Sequence, residues 1–371
     1  MSNNKKFFSD QSEITKLKLL FFENYIESYL YKILYAFGSC RLFDPFCGPG
    51  RAGDNLGSPL VLLNKLKKVV GTPAVKNRLK YEILMFCCDS DKNNIINIEK
   101  EISSIKIDKV RIICKNQTFD EFHNFLVKSK MSSSHTPKFI FLDPFGYSQI
   151  PINKIEQLSS LPNCEILLFV PLMDIYRFSN QDPAVMEKGS RVFLETYTDR
   201  AMTGGKTFKD PKDLMMAINK TLQTKLKKYV RPMMFDAGSR KNCLFLITKN
   251  IKGLILANEL FCKGSDTRLH AKINSVNNSA CQGTLDLDVD TVDEVEFKDI
   301  ITKALENGKL NNIEITKLYA KNYFCQTSAR AYLTKLIKKD IIGLIRLGKT
   351  SQLCIGATNL SSEPKVEFYL K

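Results

Sequence analysis

The sequence has no apolar run approaching the roughly 18–20 residues needed to cross a bilayer, so a membrane-spanning role is not expected. Met1 to Asp10 is polar and basic with no apolar stretch behind it, which is not the pattern of a secretory leader. Histidine is scarce. The three present, His123, His135 and His270, join no Ser-His-Asp or Cys-His arrangement and are given no role. Cysteine is not scarce, with 11 residues, but none of them is spaced as Cys-x-x-Cys. Zinc sites are built from such close ligand pairs, so no metal centre is expected. An odd cysteine count without a leader fits free thiols in a reducing compartment, hence the cytoplasm. Cys87, Cys88, Cys114 and Cys243 sit in apolar strand-like runs and are expected in the core. Internal repeats and long low-complexity tracts are absent too.

What is present is an ordinary globular composition with an excess of positive charge. The chain has 371 residues, 44% hydrophobic and 25% charged. At roughly 100–200 residues per domain, that length allows two or three domains. Net charge is +16. A field of that sign speeds the encounter with polyanions, so nucleic acid is the expected partner, set against a merely basic surface. The charge is unevenly spread. Lys206 to Arg231 holds eight basic and two acidic residues, and Lys317 to Lys349 holds eight basic and one acidic. Asp286 to Asp299 holds seven acidic residues and one lysine, and 286–296 reads as a solvated acidic linker.

Hydrophobic spacing predicts a helix over 13–35, through Ile14, Leu17, Phe21, Ile26, Leu30 and Ile33. Strands are then predicted at 41–43, 82–88, 110–114, 139–142 and 165–170, with helices at 59–68, 92–104, 119–130 and 152–159 between them. Ser58-Pro59 is a good helix start, a capping hydroxyl followed by a proline. Such alternation implies a parallel sheet covered on both faces. From 171 to 210 the chain reads as an irregular polar insertion with a Gly204-Gly205 turn. A helix at 211–229 and a hairpin at 232–235 and 243–248 follow. Five parallel strands, a helix and a hairpin make a seven-stranded, Rossmann-like α/β sheet, one more strand than plain dinucleotide folds. Residues 1–285 are assigned to this domain. Residues 297–371 read as a winged helix-turn-helix: helices at 297–306, 313–321 and 327–339, then a ribbon at 342–347 and 352–356. On its third helix Ala329, Leu333, Leu336 and Ile337 face inward, while Ser328, Arg330, Thr334, Lys335 and Lys338 face outward. Arg330, Lys335, Lys338 and the turn residue Lys349 are the candidate nucleic-acid contacts, such helices being the ones that enter the major groove. Winged helices also serve as dimerisation or docking modules.

Three motifs fall at predicted strand ends. The first is Asp44-Pro45-Phe46-Cys47-Gly48-Pro49-Gly50, continued by Gly53 and Gly57. Glycines let backbone pass close to a ligand, and an acidic residue at the strand end is suited to a ligand's amino acid moiety. The second is Cys88-Asp89-Ser90-Asp91. A carboxylate there can accept both ribose hydroxyls, or it can cap the next helix, and the sequence does not separate Asp89 from Asp91 in these roles. Asp89 lies well beyond the roughly 20-residue spacing of an NAD fingerprint. Asn116, after the third strand, reads as an adenine contact or as a turn asparagine. The third motif is Asp143-Pro144-Phe145-Gly146-Tyr147. Asp143 and the Pro144 carbonyl would accept from an exocyclic amine, and Phe145 or Tyr147 would stack on a base. The plainer reading is an Asp-Pro turn.

Together the leading helix, the Asp44–Gly50 loop, Gly57-Ser58-Pro59, Asp89, Asp143–Gly146, the 242–248 strand with Gly253, and the C-terminal segment resemble the three-Cys-motif partner protein family, over essentially the whole chain. That family resembles class I methyltransferases. The resemblance implies S-adenosylmethionine as cofactor, held by Asp44, Phe46, Cys47, Gly48, Gly50, Asp89, Ser90 and Asn116, with Asp143, Pro144, Phe145 and Gly146 presenting the substrate amine. Cys47 replaces the family's usual alanine, one small residue for another. The Asp-Pro-Phe-Gly run is also similar to tRNA guanine-N2 dimethyltransferases, whereas DNA amino methyltransferases more often carry Asp-Pro-Pro-Tyr. The family's partner resembles radical S-adenosylmethionine proteins. The expectation is methyl transfer to an exocyclic amine of a base in DNA or RNA, with or without such a partner. The alternative is a methyltransferase-fold adaptor that binds nucleic acid and recruits an enzyme.

Overall fold

A computed structural model describes residues 13–144, 146, 150–182, 184–201, 207–237, 240–264 and 294–371. Phe145, Tyr147, Gly204-Gly205, His270 and 286–293 of the predicted linker lie outside them. The chain divides into two compact units, Met1–Lys249 and Asn250–Lys371.

The first unit begins with helix α1, Glu13–Phe37. Leu17, Phe21, Phe22, Tyr25, Ile26, Tyr29, Leu30 and Leu34 form its buried stripe. Strands β1 (Arg41–Asp44), β2 (Ile83–Asp89), β3 (Val110–Asn116), β4 (Lys138–Leu142) and β5 (Cys164–Val170) then alternate with helices α2 (Ser58–Val70), α3 (Lys92–Ile102), α4 (Phe119–Lys128) and α5 (Ile152–Ser160). All five residues of β4 are buried, as the centre of a sheet covered on both faces requires. Hairpin strands β6 (Tyr229–Ala237) and β7 (Arg240–Thr248) complete the sheet. Its order is β3-β2-β1-β4-β5-β7-β6, with the first five strands parallel and β7 antiparallel to both neighbours. This is the seven-stranded α/β fold expected. The order reverses between β1 and β4, so the ends of β1, β2 and β4 flank the switch point where open α/β sheets bind ligands. Phe22 of α1 stacks on Phe141 of β4 with centroids 4.4 Å apart, and the Tyr25 hydroxyl donates to Glu165 at 2.8 Å. These contacts fix α1 across β4 and β5.

Several elements depart from the sequence reading. The 171–210 stretch is not irregular throughout: it contains α6 (Leu172–Ser179) and α7 (Lys188–Thr198). Leu172 and Ile175, then Phe193, Leu194 and Tyr197, are buried at helical spacing, in helices of only eight and eleven residues. Helix α8, Pro211–Leu226, ends before 229 because Lys227 turns left-handed and Tyr229 already pairs in β6. Ser58 does not cap α2. The cap residue is Gly57, with no side-chain bond.

The second unit opens with α9, Ile251–Gly264. The sequence-based boundary at 285 therefore lies beyond this division. The cause is α9 itself: the Asn258 amide donates to the carbonyls of Ala320 (3.0 Å) and Phe324 (3.1 Å) within the same unit. Helix α10, Glu294–Leu305, starts ahead of 297, its acidic first turn suiting a helix N-terminus. Next come β8 (Leu310–Asn311), α11 (Asn312–Lys321), α12 (Gln326–Lys338), β9 (Ile342–Arg346) and β10 (Val366–Leu370). The sheet order is β8-β10-β9. The predicted ribbon strand at 352–356 is not a strand. β9 pairs instead with β10, whose residues alternate buried and less buried from Val366 to Phe368. Buried Asn312 ties this unit together, donating to the Cys354 carbonyl (2.9 Å) and accepting from the N–H groups of Lys365 (2.9 Å) and Val366 (3.3 Å). Asn312→Ala strands these backbone groups and is expected to cost about 1–2 kcal/mol, read as a lower denaturant midpoint at unchanged slope.

Candidate active site

Asp44, Asp89 and Asp143 end or follow β1, β2 and β4. The loop after β1 folds back on β2: Cys47 N–H donates to the Cys88 carbonyl (3.1 Å), and Gly48 N–H donates to Asp89 Oδ2 (2.9 Å). Gly48 and Gly50 have φ of +60° and +82°, where a side chain would be strained. A Cβ on Gly50 would also press on Ile98 at 3.1 Å, whereas beside Gly48 the space is open. A two-residue ribbon (Arg51–Ala52 with Asn55–Leu56) then carries the chain to α2, and Gly57 N–H closes onto the Gly50 carbonyl at 2.7 Å.

Asp44 is fully buried, and neither carboxylate oxygen has a hydrogen bond of good geometry among the described residues. Burial pushes its carboxyl up to about 7; Asp143 and Asp89 push the same way, while the nearby Ser58 hydroxyl and Phe46 N–H favour the charged form. Cys47 is buried, and its thiol is raised by desolvation first and by Asp44 and Asp89 next. It is a neutral packing group, not a thiolate. Phe46 stacks on Phe119 at the start of α4, centroids 5.4 Å apart.

Asp89 is 5% exposed, and both its oxygens are engaged. Oδ2 accepts from Gly48 and Oδ1 from Asp91 N–H (2.8 Å). It therefore organises the loop. Asp91 is the helix cap, accepting from Asn93 N–H at 2.8 Å. The capping role therefore belongs to Asp91. Ser90 is exposed, with its carbonyl accepting from Asn116. The Asn116 amide donates to the carbonyls of Asp89 (2.9 Å) and Ser90 (3.0 Å), so it ties two strand ends together in the manner of a turn asparagine. Its neighbour Gln117 was missed. Gln117 N–H donates to the Asp89 carbonyl (3.0 Å), and its Oε1 is buried without a partner. Only the burial of that oxygen marks it, and spacing carries no such signal.

Asp143 follows β4, with Pro144 buried and Gly146 half-buried. Its Oδ2 accepts from Lys18 Nζ of α1 at 2.5 Å, the two side chains being 19% and 8% exposed. Lys18 was also missed, because 125 residues separate it from Asp143. Among the described residues no group of three His, Cys, Asp or Glu side chains is arranged to hold a metal. None of the ten described cysteines forms a disulfide; Cys87, Cys88 and Cys243 are buried, whereas Cys114 is only half-buried. No helix among the described residues is long and apolar enough to cross a membrane.

In the second unit Arg330, Lys335, Lys338 and Lys349 are all exposed, while Ser328 is half-buried, its hydroxyl 3.2 Å from the Sγ of the capping Cys325. Lys335 is not a free cation: Glu294 accepts its ammonium at 2.6 Å.

No family model matches the chain, and no curated protein matches it. Solved structures do. A putative methyltransferase, yhhF, from Escherichia coli is 11% identical over 61% of this chain and 86% of its own, with a TM-score of 0.27. Trm5b from Pyrococcus abyssi is 13% identical over 60% of this chain and 48% of its own, with a TM-score of 0.28. PKMT2 from Rickettsia typhi is 12% identical over 85% of this chain and 72% of its own, with a TM-score of 0.28. Likenesses at this level transfer neither substrate nor residue role.

Proposed function

We propose that the first unit binds S-adenosylmethionine at the ends of β1 and β2 and transfers its methyl group to an exocyclic amine of a nucleic-acid base. The observation that carries this reading is Asp44. A carboxylate this deeply buried, with the Ser58 hydroxyl and Phe46 N–H near it but no cation, is costly to charge unless a cation comes to meet it. Asp89 adds negative charge at the same edge, where the charge of Asp143 is paired with Lys18. A dinucleotide would bring its pyrophosphate against that charge. S-adenosylmethionine brings an ammonium and a sulfonium. The residues fit the cofactor in a second respect: the open space beside Gly48 lets a ligand approach the backbone.

In this reading Asp44 receives the cofactor's ammonium. The Asp89 carboxylate, with lone pairs left beyond its two loop bonds, accepts from the ribose. Gln117, in place of Asn116, accepts from the adenine amine. Bound there, the cofactor supplies a methyl group activated by positive sulfur. Asp143 and the Pro144 carbonyl accept the two N–H bonds of the target amine. Its lone pair would then face the methyl group to be transferred, and Asp143 would offset the positive charge on nitrogen until the surplus proton of the methylated amine leaves to water. A duplex target would have to be flipped out.

The second unit, as a winged helix, would hold the nucleic acid through Arg330, Lys338 and Lys349. Replacing each of these with alanine is expected to weaken binding evenly across sequences and to lower the salt slope by about 1. Lys335→Ala should do less, since Glu294 already occupies its charge.

The deciding experiment is incubation with methyl-labelled S-adenosylmethionine and mixed DNA and RNA, with and without a three-Cys-motif partner. Label in nucleic acid supports the enzyme. Cofactor and nucleic-acid binding with no transfer under either condition supports the adaptor.

A further inference from the structure

Among the described side chains of α1, Lys18 is the buried charged one that reaches the site. Its neighbours Leu17 and Leu19 are core residues, and Lys18 itself is 7% exposed. Its ammonium lies 2.5 Å from Asp143 Oδ2 and 4.3 Å from the centroid of the Phe169 ring, near the end of β5. Burying a lysine ammonium is expensive unless it is paired, and here a carboxylate and an aromatic face share the work. The phenyl ring and the helix fix Lys18 from behind. α1 is in turn anchored to β4 and β5 by Phe22 on Phe141 and by Tyr25 on Glu165. An aspartate after a strand end otherwise turns freely about its side-chain bonds. With Oδ2 taken, one oxygen and one orientation are left for a substrate.

We propose that Lys18 is a positioning residue of the amine-binding edge: it clamps the Asp143 carboxylate so that its remaining oxygen faces the target amine, making the leading helix part of the site. This rests on the methyl-transfer reading above. In this reading Lys18 acts through Asp143 and not on cofactor or base directly. Its contribution is therefore expected in the chemical step and not in cofactor affinity, because small misplacements of a reacting pair are costly in rate.

The test uses the full-length protein with Lys18→Met, Lys18→Gln and Lys18→Arg, each also combined with Asp143→Asn. Three quantities are measured. They are single-turnover methyl transfer to nucleic acid at saturating cofactor, affinity for the demethylated product S-adenosylhomocysteine by calorimetry, and thermal unfolding. Lys18→Met and Lys18→Gln are expected to lose about tenfold or more in rate, with product affinity held within about threefold. Lys18→Arg is expected to recover most of the loss, and in the Asp143→Asn background Lys18→Met should add little further loss, as two members of one unit do. Should the methionine variant fail to fold, the glutamine variant, which still donates a hydrogen bond, decides. Wild-type rate in the folded glutamine or methionine variant overturns the role of Lys18 alone. Rate losses that simply multiply with those of Asp143→Asn also overturn it, leaving Lys18 a structural residue. No transfer by the wild type under any condition overturns the methyl-transfer reading, and the role of Lys18 with it.

Discussion

Asp143→Asn is expected to bind cofactor as the wild type does and to lose about 10²-fold or more in methyl transfer. Asparagine keeps the shape and still accepts through its amide oxygen. It lacks the charge that stabilises nitrogen as the bond to carbon forms. Lys18 sharpens the prediction. With its ammonium 2.5 Å from Oδ2, an asparagine leaves that cation with a dipole in place of an anion, so orientation weakens along with electrostatics. Asp143→Ala is a poorer probe, because it leaves Lys18 buried beside Phe169 with no acceptor. Removing one partner of a buried pair typically costs about 3–5 kcal/mol, so lower stability is expected along with lost activity. The decisive pair of measurements is single-turnover transfer and cofactor affinity on Asp143→Asn. Full turnover would reduce Asp143 to a turn residue with a structural ion pair.

Much of this edge was legible because its residues lie in runs that each carry their own signal. Strand β2 is apolar up to Cys88 and then turns acidic at Asp89; β4 is apolar up to Leu142 and then breaks at Asp143-Pro144. A parallel sheet sends all such breaks to one edge, so order along the chain sufficed to bring Asp44, Asp89 and Asp143 together. What pairing decides was not legible. Asn116 and Gln117 are adjacent polar residues of similar chemistry. Only the fold bonds one to the carbonyls of Asp89 and Ser90 and leaves the oxygen of the other without a partner. Lys18 is a lysine in a helix rich in lysine and glutamate, and its partner is brought to it by the sheet. Helices α6 and α7 were hidden for a different reason. Each is short, eight residues in α6 and eleven in α7, so too few turns are present for a helical period to stand out. Strand β10 shows a period-two pattern in Val366, Phe368 and their neighbours, but so short a run competes with any other five residues until β9 is placed beside it.

Asp44 gives the second large effect, on cofactor binding and on its pH dependence. Its carboxyl is raised from an ordinary value of 3.8 to about 7, by burial first and by Asp143 and Asp89 as well. The sign follows from proton counting. Between about pH 4 and pH 7 the folded chain without ligand holds a proton on Asp44 that the unfolded chain has lost, so this group's contribution to stability declines as pH rises through that window. A bound ammonium reverses the preference, because it stabilises the carboxylate. Binding below pH 7 therefore releases a proton. Affinity for S-adenosylhomocysteine, which keeps the amino acid moiety and cannot turn over, is expected to rise with pH from about 5.5 to 7, by up to about tenfold per unit. It should level off above that. Asp44→Asn has no proton to release and no charge to offer. Its affinity is expected to be flat across the same window and, at pH 7.5, about 10- to 100-fold weaker than wild type, the loss typical of a hydrogen bond between charged groups. The asparagine is close in size, and its amide suits the Ser58 hydroxyl, so the fold should hold. Calorimetry at several pH values in buffers of different ionisation enthalpy reads both the affinity and the released proton directly. A wild type whose affinity ignores pH, together with an asparagine variant that binds equally well, would show that the buried carboxylate meets no ammonium, and the cofactor assignment would fall with it.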